Sequence, residues 1–150
     1  MPGFGCTMLA AMFLLPLLLN AVLGFKLCPS PCLCYESSDL VDCRSRGLTR
    51  VPSSISHGTW LLDLSLDLSF NRLRWLPQDF SQGLYSLQEL RLSNNLLQHL
   101  DSKSLEDCGS LRKLDLSYNH IRGLDIKALS SLPAASNNTM VKVKTRIWKL

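Results

Sequence analysis

The chain has 150 residues, with 16 lysines and arginines against 12 aspartates and glutamates and a formal net charge of +4. Four of the positive charges, Lys142, Lys144, Arg146 and Lys149, lie in the last nine residues, so residues 25–140 hold 12 basic and 12 acidic groups. Because a nucleic-acid-binding domain gathers lysine and arginine on one face, this balance argues against a nucleic-acid partner.

The N-terminal segment, residues 1–24, contains no charged residue and carries the apolar run "MLAAMFLLPLLLNAVLG". This run predicts a secretory signal peptide over residues 1–24, with cleavage near Gly24. The alternative is a membrane anchor, although Pro16 and Asn20 interrupt a stretch that is already short for a span of ~20 residues. The sequence therefore favours a secreted or extracellular protein, with cell-surface anchoring by an uncleaved N-terminal segment as the alternative.

Four cysteines, Cys28, Cys32, Cys34 and Cys43, crowd together directly after this segment. Secretion exposes a chain to an oxidising compartment, so two disulfides are expected here rather than a zinc site. Four cysteines allow three pairings, and the spacing of the residues does not choose between them.

Three copies of one pattern follow at a constant spacing: "LDLSFNRLRWL", "LRLSNNLLQHL" and "LDLSYNHIRGL". Each L-x-L core predicts a short strand whose leucines point inward, because side chains alternate across a strand. Stacked copies would form a parallel sheet. The asparagine after each strand, Asn71, Asn95 or Asn119, is expected to bond the backbone of neighbouring coils in a buried ladder. Cys108 takes an inward position in this pattern, which predicts a buried free thiol.

The stretch "LLDLSLDLSFN" starts the same pattern twice in close succession. The frame that starts at Leu62 has Asp67 where the asparagine belongs, whereas the frame that starts at Leu66 fits throughout. The preceding strand is expected to have Val41 and Cys43 as its inward pair. Either repeats have been removed between the two frames, or the coil is irregular and bulged, since a bulge tolerates extra residues.

The C-x3-C-x-C-x8-C cluster, the following "GLTRVP" and the regularly spaced repeats resemble the extracellular leucine-rich repeat family with its cysteine-rich N-terminal cap. The resemblance implies an α/β-type solenoid, a short curved array with a parallel sheet on its concave face, which binds other proteins. It also implies disulfides that join Cys28 to Cys34 and Cys32 to Cys43. The family usually closes with a second cysteine cap, which this sequence lacks, so a shortened member is expected. The expected organisation is a signal peptide at 1–24, the cap at 25–58, one aborted and three full repeats at 59–132, and a non-repeat basic tail at 133–150.

The function is expected to be recognition rather than catalysis. His57, His99 and His120 have no metal-binding or catalytic spacing, and no nucleophile motif is present, so the sequence predicts no enzyme, metal or cofactor. The expected partner is an extracellular protein ligand or receptor. Asp42, Arg44, Asp67 and Ser69 are among the outward strand positions, and the residues expected to contact the partner are Phe70, Glu89, Arg91, Asn94, Lys113, Asp115 and Tyr118. Arginine and aromatic residues are favoured as interface anchors, although Phe70 and Tyr118 could instead merely cover the turn to the asparagine ladder.

The repeat pattern stops after Leu132, and "MVKVKTRIWKL" then alternates apolar with basic residues. This segment is either an edge strand that covers the last coil or unrelated sequence, and an uncapped last coil would favour self-association. The basic tail also supports an alternative function, in which it binds an anionic glycan or a membrane surface. Asn137 begins the single N-x-T sequon, which predicts glycosylation there.

Overall fold

Six short strands form one sheet in the computed structural model, which describes residues 28–55, 65–122, 129–130, 132 and 140–142. The strands are β1 (Leu33–Tyr35), β2 (Leu40–Asp42), β3 (Ser65–Asp67), β4 (Glu89–Arg91), β5 (Lys113–Asp115) and β6 (Met140–Lys142). They lie side by side in chain order. β1 runs antiparallel to β2, and each later pair of neighbours is parallel. The predicted solenoid with a parallel sheet is confirmed.

The register of the sheet follows the repeat spacing. Leu66, Leu90 and Leu114 occupy the same position of successive repeats, and they stand opposite one another in β3, β4 and β5. Val41 in β2 pairs with Leu66, so the second of the two duplicated frames forms the strand beside β2. This pairing does not distinguish an irregular, bulged coil from the removal of repeats, and both stay predictions. Residues 56–64, which include the start of the first frame, lie outside the described residues.

The core lies on one side of the sheet and is built from the inward positions of every coil. Its largest fully buried side chains are Ile55, Leu66, Leu68, Leu73, Phe80, Leu84, Leu87, Leu90, Leu92, Leu97, Leu105 and Leu111. Burial of one such side chain contributes about 1.5–3 kcal/mol, so the stacked leucines are the main stabilising term. Turns and two 3₁₀ helices, Glu36–Ser38 and Ser53–Ile55, connect the described strands. Within those same residues no helix is long and apolar enough to cross a membrane.

The predicted asparagine ladder runs through the coils. The Nδ2 group of Asn95 donates to the carbonyl oxygens of Leu68 at 3.0 Å and Leu92 at 3.1 Å. Its Oδ1 atom accepts from the backbone N–H of Leu73 at 3.0 Å. The other two ladder asparagines make corresponding contacts, and all three are buried. Each amide thereby satisfies backbone groups of two successive coils that would otherwise be buried without a partner.

Two disulfides fix the first coil: Cys28 joins Cys34, and Cys32 joins Cys43. This is the pairing that the family resemblance implies. Cys43 is fully buried, so the second disulfide joins the chain at Cys32 directly to the core. Cys108 is the predicted buried free thiol, and its burial raises the pKa of that thiol to about 12.

The C-terminal part of the sheet is continued by β6. Val141 pairs with Leu114 and packs against the core, and the backbone N–H of Leu116 donates to the carbonyl oxygen of Lys142 at 2.8 Å. Residues 140–142 therefore form an edge strand beside β5, which is the first of the two alternatives for the alternating segment. The sequon at Asn137 and the predicted signal peptide lie outside the described residues.

Replacement of a ladder asparagine should destabilise the whole array. We expect Asn95→Ala to lower the free energy of unfolding by about 3 kcal/mol, because each buried backbone group left unsatisfied costs about 1–3 kcal/mol. Urea denaturation followed by circular dichroism measures this change. Gln98→Ala is the matched control, since the exposed Gln98 side chain should contribute within about 0.5 kcal/mol. Equal stability of the two variants would contradict a structural role for the ladder.

Candidate functional site

The concave face is the side of strands β2–β6 that is turned away from the core. Parallel pairing places its outward side chains in rows across the sheet: Glu89 lies beside Lys113, and Asp42, Asp67, Arg91, Asp115 and Lys142 follow one another in the next row. All of these side chains except that of Asp42 line an open groove of about 570 Å³. The groove floor is made of backbone and buried leucines, so its shape is set by the fold.

Six charged side chains on this face form a continuous chain of ion pairs. Arg44 donates to both carboxylate oxygens of Asp42, at 2.9 and 2.7 Å, and its Nε lies 3.7 Å from Asp67. On the other side of Asp67, the Nη1 atom of Arg91 lies 3.4 Å away. Arg91 also donates to Glu89 at 2.8 Å, and Lys113 lies 3.7 Å from the same carboxylate. Three cations and three anions alternate, so their formal charges cancel.

The acids of this ion-pair chain lie beneath the bases. The side chains of Asp42, Asp67 and Glu89 are 11%, 3% and 23% exposed, whereas those of Arg44, Arg91 and Lys113 are 49%, 44% and 63% exposed. A molecule that approaches the concave face therefore meets mainly guanidinium and ammonium groups, although the face is electrically balanced.

The carboxylates hold the two arginines in place and in their charged form. The hydrogen bonds from Arg44 keep the pKa of Asp42 below its usual value. The hydrogen bond to Glu89 raises the pKa of Arg91. A guanidinium bonded in this way loses less rotamer freedom on binding, because much of that freedom is already lost in the unbound protein.

Asp67 is the centre of the ion-pair chain. Its Oδ1 accepts from the backbone N–H and the hydroxyl of Ser69, and its Oδ2 faces Arg44 and Arg91. The sequence predicts outward positions for Asp67 and Ser69. Both do lie on the concave face, but both are buried, and Asp67 lies beneath the guanidinium groups of Arg44 and Arg91. Asp67 therefore positions its neighbours and is not itself a contact surface.

A row of residues with left-handed backbone borders the concave face. Ser45, Phe70, Asn94 and Tyr118 occupy equivalent positions in successive coils, with φ between 54° and 58°. The backbone N–H groups of the first three donate to the next coil, which keeps the row in register. Phe70 is 59% exposed and Tyr118 is 47% exposed. A left-handed conformation is unfavourable for aromatic residues by roughly 1–2 kcal/mol, and here it directs both rings toward solvent.

The structure places Glu89, Arg91, Lys113 and Asp115 on the concave face and Phe70, Asn94 and Tyr118 in the row that borders it. The four disulfide cysteines lie apart from these residues, in the first coil. The ladder asparagines are buried and stabilise the fold. The residues themselves gave no indication that Asp67 would be covered, because the contacts that cover it join side chains of successive coils, far apart in the chain.

Comparisons with known proteins give the family of this fold. The family model described as leucine rich repeat matches residues 65–121. The crystal structure of human trophoblast glycoprotein (Wnt-activated inhibitory factor 1) is similar with a TM-score of 0.63 and 31% identity, over 81% of this chain and 41% of that chain. Residues 65–121 of this chain are therefore leucine-rich repeats.

Curated leucine-rich repeat proteins are also similar. Leucine-rich repeat-containing G-protein coupled receptor 5A of Xenopus laevis is 43% identical over 75 residues, which cover 49% of this chain and 8% of the receptor. Leucine-rich repeat-containing protein 3 of Danio rerio is 38% identical over 77 residues, or 50% of this chain and 27% of that protein. The leucine-rich repeat chain described here thus spans a small part of the length of these relatives.

Removal of the central carboxylate should loosen the ion-pair chain. We expect Asp67→Asn to lower the free energy of unfolding by about 1–3 kcal/mol, because two arginines then share no carboxylate beneath them. Chemical denaturation measures the loss. Asp79→Asn removes an exposed carboxylate outside the ion-pair chain and should change stability by less than about 0.5 kcal/mol. A variant Asp67→Asn as stable as Asp79→Asn would show that the chain of charges does not stabilise the fold.

Proposed function

We propose that this leucine-rich repeat protein is secreted or held at the cell surface and recognises an extracellular protein through its concave face. The observation that carries the proposal is the fixed presentation of Arg44, Arg91 and Lys113 above buried carboxylates, next to the exposed rings of Phe70 and Tyr118. Arginine and tyrosine are the residue types that most often dominate binding energy at protein interfaces.

The chemistry of this face favours a protein segment that carries carboxylates beside an apolar side chain. The cations would bond the carboxylates, and the apolar group would lie across the row formed by Phe70, Asn94 and Tyr118. Adjacent strands lie about 4.8 Å apart, so the two rings project from backbones about 10 Å apart. The face is balanced in charge, so specificity depends on local geometry more than on long-range attraction.

The relatives support this proposal at the level of protein class. Several matched proteins are named as receptors, and the repeats that match this chain form part of them. The two disulfides require an oxidising compartment, which agrees with exposure outside the cell. The partner of this chain is identified by the chemistry of the concave face and not by those names.

The concave face should carry the binding energy for such a partner. A screen of the native chain against an array of extracellular domains identifies ligands, which are then measured with two matched variants. We expect Arg91→Ala/Tyr118→Ala to weaken binding by at least about 10-fold, since an interface anchor contributes about 2 kcal/mol or more. Lys103→Ala/Tyr85→Ala removes the same kinds of exposed side chain from other surfaces and should bind normally. Equal binding by both variants would contradict recognition through the concave face.

Processing of the N-terminus and of Asn137 tests the proposed location. We expect a chain expressed in cultured animal cells to appear in the medium, to begin near Phe25 and to lose mass on treatment with an N-glycosidase. Asn137→Gln is the control for the glycan and should remove the mass change. A chain that begins at Met1 and stays in the membrane fraction would support the anchored alternative, and a cytosolic chain with free cap thiols would contradict the proposal.

A further inference from the structure

A second charged surface lies beside the concave face, along the segments that follow the strands in each coil. These segments are residues 43–52, 68–77, 92–100 and 116–122, and together they contain six arginines, two histidines and no aspartate or glutamate. The balanced charge of residues 25–140 therefore includes a local excess of positive charge on these segments. We call five of these residues, Arg46, Arg50, Arg72, Arg74 and Arg122, the arginine face.

The four segments stack side by side, which places Arg72, Arg74 and Arg122 on one side of the array, with Arg46 and Arg50 in the neighbouring first segment. The backbone N–H of Arg72 donates to the carbonyl oxygen of Leu48 at 2.8 Å, and that of Gln98 donates to Arg74 at 3.3 Å. Neighbouring segments are thus at about the strand spacing of 4.8 Å, and the four of them extend across about 14 Å. Arg72 and Arg74 occupy alternate positions of one extended segment, about 7 Å apart. Arg122 stands two coils beyond Arg74, at the equivalent position.

The side chains of the arginine face make no ion pair within the described coils. All five side chains are exposed, and across residues 28–55, 65–122 and 140–142 none of them lies within 4 Å of a carboxylate, in contrast to Arg44 and Arg91. Arg46 acts on Asp42 from beyond that distance. The acids Asp79, Asp101, Glu106 and Asp107 lie in the residues that connect one segment to the next strand and not within the four segments.

We propose that the arginine face binds a sulfated polysaccharide. Planar guanidinium groups pair with tetrahedral oxyanions through two parallel hydrogen bonds, so arginine suits sulfate better than lysine does. A row of separated cations on an open surface fits a long chain with repeated anionic groups, whereas a small anion would need convergent ligands. The exposed ring of Trp75, next to Arg74, offers a flat apolar surface for a sugar ring. This assignment is independent of the concave face, and it is a different site from the basic tail, whose binding to an anionic glycan stays a prediction.

Binding of the full chain to immobilised heparin tests the proposal, with salt titration and three triple variants that each remove three positive charges. Arg72→Gln/Arg74→Gln/Arg122→Gln changes the arginine face. Lys26→Gln/Lys103→Gln/Arg112→Gln changes three cations that belong neither to the arginine face nor to the ion-pair chain. Lys142→Gln/Lys144→Gln/Arg146→Gln changes the tail. Circular dichroism confirms that each variant is folded, and Tyr118→Ala, which alters the concave face, should bind heparin like the native chain.

We expect the arginine-face variant to bind heparin on the order of 100-fold more weakly, since each cation near an anionic surface contributes about 1 kcal/mol. Its affinity should also depend less steeply on salt, because fewer counterions are released. The other two triple variants should change affinity by less than about threefold, and desulfated heparin should not compete. The proposal is overturned if the native chain does not bind heparin, or if all three triple variants lose affinity equally. It is also overturned if the tail variant alone loses affinity, or if phosphatidylserine vesicles bind the arginine face while heparin does not.

Discussion

Each coil of this protein is held to the next by one buried asparagine side chain. Because the amide of Asn95 bonds carbonyl oxygens in two successive coils, neighbouring strands cannot slip without leaving buried backbone groups unpaired. A slip by one residue would also turn every inward leucine to the opposite side of the sheet. The straight rows on the concave face and the stacked segments of the arginine face both depend on this constraint, since each requires equivalent residues to stay level.

The inward leucines and the ladder asparagines contribute most of the stability of the fold. The outward positions can therefore differ from coil to coil. On the concave face those positions place Asp67 beneath Arg44 and Arg91, so charge is compensated within the protein. Beside it, Arg72 and Arg74 have no such partner within the described coils. Two adjacent surfaces of one array therefore suit different ligands. The concave face suits a ligand that fits its fixed geometry, and the arginine face suits a ligand that supplies negative charge.

The periodic part of the molecule could be predicted from the sequence, because leucine and asparagine at fixed spacing permit one arrangement. The same reasoning found the inward pair of the first coil, Val41 and Cys43, and the outward positions of the concave face. It left open how the duplicated frame arose, since a bulged coil and a loss of repeats leave the same residues behind. The burial of Asp67 was missed because it depends on how long arginine side chains fold over a neighbour. The arginine face was missed because charge was counted along the chain and not by position within the coil.

Cys43 takes part both in a disulfide of the cap and in the asparagine ladder. Its sulfur is bonded to Cys32, and its carbonyl oxygen accepts from the amide of Asn71, the first member of the ladder, at 2.8 Å. Oxidation of the cap therefore positions the acceptor on which the first coil-to-coil contact depends. Reduction of this disulfide would free the backbone at Cys43, and the carbonyl oxygen that accepts from Asn71 would no longer be held in position. Formation of the Cys32–Cys43 disulfide and the first contact of the asparagine ladder are therefore coupled through one residue, and an oxidising compartment favours both.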